Sequence, residues 1–352
     1  MAVSAAERTA PDSMDTVRVW LIVVAALVFV MVGIGGATRL TGSGLSITEW
    51  QPIMGTLPPL GETDWQVAFE KYKRIPQYER VNTGMSLPEF KAIFWWEWGH
   101  RLLGRLIGVV FAVPLLWFWW RGAIDRALGR RLAGLLALGG LQGAIGWYMV
   151  QSGLVERSSV SQYRLALHLG VAIAIFGALM WVILETGQRR ARTVTLDTVS
   201  RLQLRLGIAL VGLVLVQIVL GAFVAGLRAG LTYNTWPLMD GRLVPDGLLM
   251  LSPWWLNAFE NITTVQFDHR VVAYLLLGLA TWHAWSVNAS ADDERVRRSA
   301  LALLAAILAQ AALGIWTLVA VVPLPLGIAH QTGAVAVLGI AVWHAHRLTR
   351  RN

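Results

Sequence analysis

The chain has 352 residues, of which 56% are hydrophobic and only 14% charged. That balance excludes an ordinary soluble domain and points to an integral membrane protein. The net charge of +9 comes from basic residues scattered at the ends of apolar runs, with no polar domain to shape a nucleic-acid groove; the lack of cysteine excludes disulfides, thiolate haem ligation, iron–sulfur clusters and thiol catalysis.

Residues 1–16 read as a short, partly acidic tail, unlike a cleavable signal or an Arg-rich transit peptide. Eight continuous apolar runs follow, near 17–38, 98–120, 131–151, 163–185, 203–226, 267–287, 299–321 and 326–346. Each is long enough to cross about 30 Å of hydrocarbon. Their continuity favours helices over a barrel, whose strands would alternate. The expected fold is an all-α integral membrane protein of eight transmembrane helices.

Basic residues set the orientation. Arg8 and Arg18 precede the first run; Arg121, Arg126, Arg130 and Arg131 follow the second; Arg189, Arg190, Arg192, Arg201 and Arg205 follow the fourth. Arg295, Arg297 and Arg298 follow the sixth, and Arg347, Arg350 and Arg351 end the chain. All fall on one side, so both termini are expected to be cytoplasmic in a bacterial inner membrane, or matrix-facing in an organelle. The even-numbered runs then descend from the outer face.

Between the first two runs, residues 40–97 form an outer loop too long for a simple connection. Within it DWQVAFEKYKRIPQYERV is amphipathic, with Trp65, Phe69 and Tyr72 on one helical face. Two readings stay open: a lid at the membrane surface, or a solvated cap packed on the helices.

Each even-numbered run carries a histidine near its outer end: His100, His168, His269 and His330. A histidine in a membrane helix is costly and faces a partner in the bundle interior. Two on neighbouring helices supply the axial ligands of one haem iron. Zinc fits less well, because it wants four ligands and neither pair is joined by cysteine or a second carboxylate. A hydrogen-bonded core histidine and a proton path are the plainer readings. His283, His344 and His346, near the inner ends of the sixth and eighth runs, read as interfacial.

The two halves repeat. GGATRLTGSGLSITEWQPIMGTLPP after the first run matches GAFVAGLRAGLTYNTWPLMDGRLVP after the fifth, aligning Arg39 with Arg228 and the Thr48–Trp50 element with Thr235–Trp236. WGHRLLG matches FDHRVVA, so Arg101 and Arg270 each follow a histidine; LQGAIGW matches LAQAALGIW, aligning Gln142 with Gln310. The expected organisation is two four-helix bundles, residues 17–190 and 191–352. Arg39, Arg101, Arg228 and Arg270 lie at the histidines' level, where a guanidinium pairs with a haem propionate or snorkels to the interface.

One position breaks the repeat. Glu97 precedes His100 by three residues, whereas Gln266 precedes His269. Residues three apart share a helical face, so a carboxylate sits over the first pocket only. It stabilises developing positive charge or accepts a proton; the structural reading is a helix cap or an ion pair with arginine. Asp268 places another carboxylate beside His269, pointing elsewhere on the helix. The tryptophans cluster at span ends, as an aromatic belt does.

The segments RLTGSGLSITEWQPIMGTLPPL, EFKAIFWWEWGHRLLGRLIG, LTYNTWPLMDG, FDHR and AHQTGA resemble those of haem A synthase, in the form found in alphaproteobacteria and mitochondria, from about residue 17 to 347. The resemblance implies two pseudosymmetric four-helix bundles and oxidation of the C8 methyl of haem O to the formyl of haem A, with water as the oxygen source. By the same resemblance His269 and His330 hold a resident haem b, His100 and His168 hold the haem O substrate, and Glu97 is the catalytic carboxylate. It further implies haem O synthase (protohaem farnesyltransferase) and an electron acceptor as partners, with membrane lipid around the helices. Some members carry a cysteine pair in the outer loops; this chain has none. The rival class is a di-haem b electron carrier of the quinol oxidoreductase type, which places haems at both membrane levels. A duplicated transporter would show matched breaks near mid-span, and none is evident.

Overall fold

A computed structural model describes residues 11–51, 53–155, 157–187 and 200–349. The tail before residue 11, the basic residues Arg8, Arg189, Arg190, Arg192, Arg350 and Arg351, and the expected boundary at 190 lie outside the described residues. The helices are α1 (Pro11–Leu40), α2 (Glu62–Tyr72), α3 (Pro76–Arg80), α4 (Leu87–Trp120), α5 (Arg126–Leu154), α6 (Gln162–Thr186), α7 (Arg201–Gly226), α8 (Asn257–Glu260), α9 (Ile262–Ser290), α10 (Glu294–Val319) and α11 (Leu324–Leu348). Among the described residues the protein is helical, with one isolated β-bridge, Met239 to Arg242.

Among the described residues, seven helices are long and apolar enough to cross a membrane: α1, α4, α5, α6, α7, α10 and α11. This is a multi-pass membrane protein. The remaining expected span falls on α9, a 29-residue helix whose first turns carry Thr264, Gln266, Asp268, His269 and Arg270.

Side-chain caps start most of the long helices. Ser86 and Glu89 close a box at α4, with the Ser86 amide donating to Glu89 Oε2 at 2.7 Å. Ser200 and Gln203 do the same at α7. Asp125, Asn261 and Asp293 accept first-turn amides of α5, α9 and α10. The α10–α11 turn, residues 320–323, has the four-residue length anticipated but lies two residues earlier in the chain. Val321 and Val322 take φ of 62° and 55°, a left-handed conformation costly for β-branched residues, and the helix ends at Val319.

The largest difference from expectation lies at α4. It begins at Leu87, eleven residues before the expected start at 98. Glu97 therefore sits inside a continuous helix rather than at its mouth. The remaining loop also folds: the α2 face of Trp65, Phe69 and Tyr72 is buried as its spacing predicts, against Phe90 and Phe94 of α4. Phe69 stacks on Phe90 at 5.0 Å between ring centroids, and Trp65 meets Phe94 edge-on at 4.9 Å. The segment is thus a cap packed on the helices.

In the first half α1 packs on α4 and α6, and α5 on α4 and α6. In the second half α7 packs on α9 and α11, and α10 on the same two. Contacts of α1 with α11, α6 with α7 and α6 with α11 join the two sets. A single apolar core runs through both, including Leu21, Leu115, Ile173, Leu210, Leu303 and Leu338. Large apolar side chains such as Val19, Leu116 and Leu275 face outward, as lipid contact requires. Trp117, Trp119, Trp120, Trp254 and Trp255 are exposed at helix ends or in the loops beside them, in keeping with a belt.

Candidate functional site

The four repeated histidines occupy one recurring setting. Each ring lies against a glycine on the helix that precedes it in its hairpin. A Cβ built on Gly35, Gly146, Gly221 or Gly314 would come 3.0, 3.0, 3.3 or 2.7 Å from Cε1 of His100, His168, His269 or His330 respectively. The missing side chain is what lets the ring lie flush on the neighbouring helix. His100 and His168 lie within electrostatic range of each other, as do His269 and His330. The structure therefore brings together the pairs the spacing suggested.

Three of the four also touch a glutamine one turn before that glycine. Gln142 Nε2 donates to the His168 carbonyl at 2.8 Å and lies 3.0 Å from His168 Nδ1. Gln217 Nε2 donates to the His269 carbonyl at 3.0 Å and lies 3.2 Å from its Nδ1. Gln310 Nε2 donates to the His330 carbonyl at 2.7 Å and lies 3.0 Å from its Nδ1. Sequence reasoning aligned Gln142 with Gln310 but missed Gln217. The signal was present as glutamine four residues before glycine in QGAIG, QIVLG and QAALG.

Glu97 is 3% exposed and satisfied on both oxygens. Oε2 accepts from Ser46 Oγ at 2.8 Å and from the Ile47 amide at 2.7 Å; Oε1 accepts from Arg101 Nη2 at 2.5 Å. Arg101 also donates to the carbonyls of Ile47 at 2.8 Å and Glu49 at 2.9 Å. The second half repeats this latch with an amide. Gln266 Nε2 donates to the Ala229 and Thr232 carbonyls, both at 2.7 Å, and its Oε1 accepts from Arg270 Nη2 at 3.0 Å. Arg270 donates to the carbonyls of Tyr233 at 2.7 Å and Thr235 at 3.0 Å. Glu97 and Gln266 thus each accept from the arginine one turn on, but Glu97 accepts from the loop before it where Gln266 donates, and only Glu97 adds a negative charge. In this register Glu49 stands opposite Thr235, one residue from the sequence pairing with Thr48, while Trp50 stays opposite Trp236.

Arg39, at the end of α1, crosses to the other half and donates to the carbonyls of Ala225 and Gly226 at 3.0 and 3.1 Å. These close α7, whose C-terminus favours a cation. Arg228 follows with φ of 54° and lies within electrostatic range of Arg39. Asp268 is half-buried.

The inner histidines correct the expectation of an interfacial setting. His283 and His344 are 1% and 0% exposed and hydrogen-bond through their Nε2 atoms at 2.8 Å. His344 Nδ1 meets Ser299 Oγ at 2.8 Å. His346 is buried too, edge-on to Trp181 at 5.0 Å. At the end of an apolar run a histidine reads the same whether it points inward or outward, so spacing alone did not separate the two.

The outer donor set fits an iron porphyrin. An imidazole that gives Nε2 to iron keeps its proton on Nδ1 and needs an acceptor there. Oε1 of Gln142 and of Gln217 is buried without a partner, and turning either amide presents it to that proton in exchange for the bond from Nε2 to the histidine carbonyl. Nε of Arg39 and of Arg270 is likewise buried and unpartnered, leaving donors suited to carboxylates.

The family model described as cytochrome oxidase assembly protein (COX15-CtaA) matches residues 18–342. "Heme A synthase" of Parvibaculum lavamentivorans is 54% identical over 331 residues, covering 94% of each chain. "Heme A synthase" of a Bradyrhizobium strain is 55% identical over 347 residues, 97% of this chain and 94% of that one. "Heme A synthase" of Nitrosospira multiformis is 50% identical over 335 residues, 95% of this chain and 94% of that one. With a match running from the first turns of α1 almost to the end of α11, this chain belongs to the COX15-CtaA family of cytochrome oxidase assembly proteins.

Proposed function

We propose that this chain is a haem A synthase: a membrane oxidoreductase that converts the C8 methyl of haem O to the formyl of haem A. The observation that carries the reading is the fourfold histidine-on-glycine setting, with a carboxylate in one half and an amide in the other. His100 and His168 hold the haem O substrate. His269 and His330 hold haem b, which when bound supplies a one-electron relay. Arg39, Arg101, Arg228 and Arg270 face the propionates, Arg39 and Arg270 through their unpartnered Nε.

The reaction balances with water. A methyl group and one water give the formyl group, four protons and four electrons, the electrons leaving to an acceptor. Removing hydride equivalents from the methyl leaves positive charge on a carbon conjugated to the ring. Glu97, held by Ser46, Ile47 and Arg101 one turn from His100, is a pre-organised anion in a site with little water, where such stabilisation is strongest. Water adds to that carbon with loss of a proton to give the alcohol; a second two-electron oxidation and a second water give a gem-diol, which loses one water to the aldehyde.

The histidines sit in two four-helix bundles, residues 17–190 and 191–352, with α9 as the eighth crossing. The termini are cytoplasmic in the inner membrane, and the haem sites lie toward the periplasmic side. Haem O arrives from a haem O synthase. The experiment is Glu97→Gln: Oε1 still accepts from Arg101 and Nε2 can donate to Ser46 Oγ, though the Ile47 amide loses its acceptor, so the variant should keep both haems at some cost in stability yet accumulate haem O. Full turnover by it would remove Glu97 from the chemistry.

A di-haem carrier needs an imidazole pair at the opposite membrane level. His283 and His344 stand fourteen residues beyond His269 and His330, roughly 21 Å along a helix. Their Nε2 atoms, however, hydrogen-bond directly at 2.8 Å. An iron between them needs about 4 Å, two metal–imidazole bonds of about 2 Å each. The pair lends that reading no support.

A further inference from the structure

The recurring setting has one exception, and it falls on the histidine beside Glu97. Four residues before the facing glycine stand Gln142, Gln217 and Gln310 in three hairpins, but Met31 in the α1–α4 hairpin. The Met31 side chain reaches α4 one turn beyond His100, with its Cε 3.5 Å from the position of a Cβ on Gly104. A thioether donates no hydrogen bond and is a poor acceptor. His100 Nδ1 is accordingly buried with no partner, while Nδ1 of the other three rings each meets an amide at 3.0 to 3.2 Å.

We propose that Gln142, Gln217 and Gln310 are positioning residues that lock three of the four axial histidines, and that Met31 leaves His100 as the labile ligand through which haem O enters and haem A leaves. The inference rests on the haem reading of the two histidine pairs.

The physical basis is the partner of the ligating ring. A glutamine turned so that Oε1 accepts from the Nδ1–H of the ligating ring ties that ring's orientation to the neighbouring helix. Partners of this kind are worth about ten- to a hundredfold in metal affinity. An acceptor on Nδ1–H also makes the imidazole a stronger donor and favours ferric iron. A resident cofactor gains from two locked ligands, and His269 and His330 both have them. A macrocycle that must arrive and depart gains from one ligand that lets go, and only the pair His100–His168 contains an unlocked ring. The asymmetry thus tracks the division between substrate and cofactor that Glu97 marks independently. A methionine also fills the contact with Gly104 on α4 without a competing polar group.

The test uses purified holoenzyme carrying haem O and haem b, which chromatography distinguishes, mixed with excess apomyoglobin as haem acceptor. Met31→Gln should slow loss of haem O by about tenfold and move its reduction midpoint to more negative potential, with haem b release unchanged. Met31→Leu, of similar volume and no hydrogen-bonding capacity, should match the wild type in both. Gln217→Met should speed haem b release by about tenfold and leave haem O unaffected. Equal release rates and midpoints for Met31→Gln and Met31→Leu, or unchanged haem b release in Gln217→Met, overturn the inference while leaving the haem reading intact. Unchanged haem content in His100→Ala overturns both.

Discussion

Glu97 and Arg101 lie one turn apart on α4 and join Oε1 to Nη2 at 2.5 Å, with 4% and 14% of their side chains exposed. Gln266 and Arg270 reproduce the pair on α9 without the negative charge. Removing the cation leaves a buried carboxylate with two donors where it had three. Arg101→Leu should therefore destabilise the protein by about 3–5 kcal/mol. Arg270→Leu, which strands only an amide, should cost about 1–3 kcal/mol. Thermal unfolding in detergent measures both, and equal losses would show that charge is not what the Glu97 latch adds.

The glycines opposite the histidines should be intolerant of alanine in an order set by distance. A Cβ at Gly314 falls 2.7 Å from His330 Cε1, where the ring must move; at Gly221 it falls 3.3 Å from His269. Gly314→Ala should lower haem b content by roughly tenfold, on the scale of a lost ligand-orienting contact, and Gly221→Ala by less. Haem extraction with protein quantitation gives the ratio. The reverse order would mean that the rings are not seated on these glycines.

Much of this was legible in the sequence, and the failures have physical causes. Continuous apolar runs located the long helices to within a few residues at most ends. The start of α4 was missed because LPEFKAIFWWEW mixes charge with aromatics, so hydropathy hid a helix that the Ser86–Glu89 capping box announces. The fourfold repeat of the histidines followed from spacing. Gln217 and Met31 did not, because their meaning depends on which glycine faces which ring, a relationship between helices that periodicity within one helix does not encode.

The inner histidine pair is expected to be structural. His344→Leu leaves His283, whose Nδ1 already has no partner, buried without its Nε2 bond. The loss should be about 1–3 kcal/mol of stability with both haems retained. Haem content and unfolding temperature on the same preparation decide it; loss of a haem would make this pair a ligand site.

The outer cap should respond to alkaline pH. Burial pushes the Tyr72 phenol above its ordinary value of 10.0. The folded cap therefore favours the protonated phenol, so its contribution is complete below about pH 10 and is lost as pH rises further. Tryptophan fluorescence of Trp65 should report loosening above about pH 10 that Tyr72→Phe, with no proton to lose, does not show. Identical profiles would place the sensitivity elsewhere.

Whether the two histidine pairs divide the work between substrate and cofactor is answered by chromatography of the haems extracted from the wild type and from His100→Ala. The wild type should yield haem b together with haem O or haem A, and the variant haem b alone. Loss of haem b from the variant, or two equivalents of haem b and nothing else from the wild type, would contradict that division.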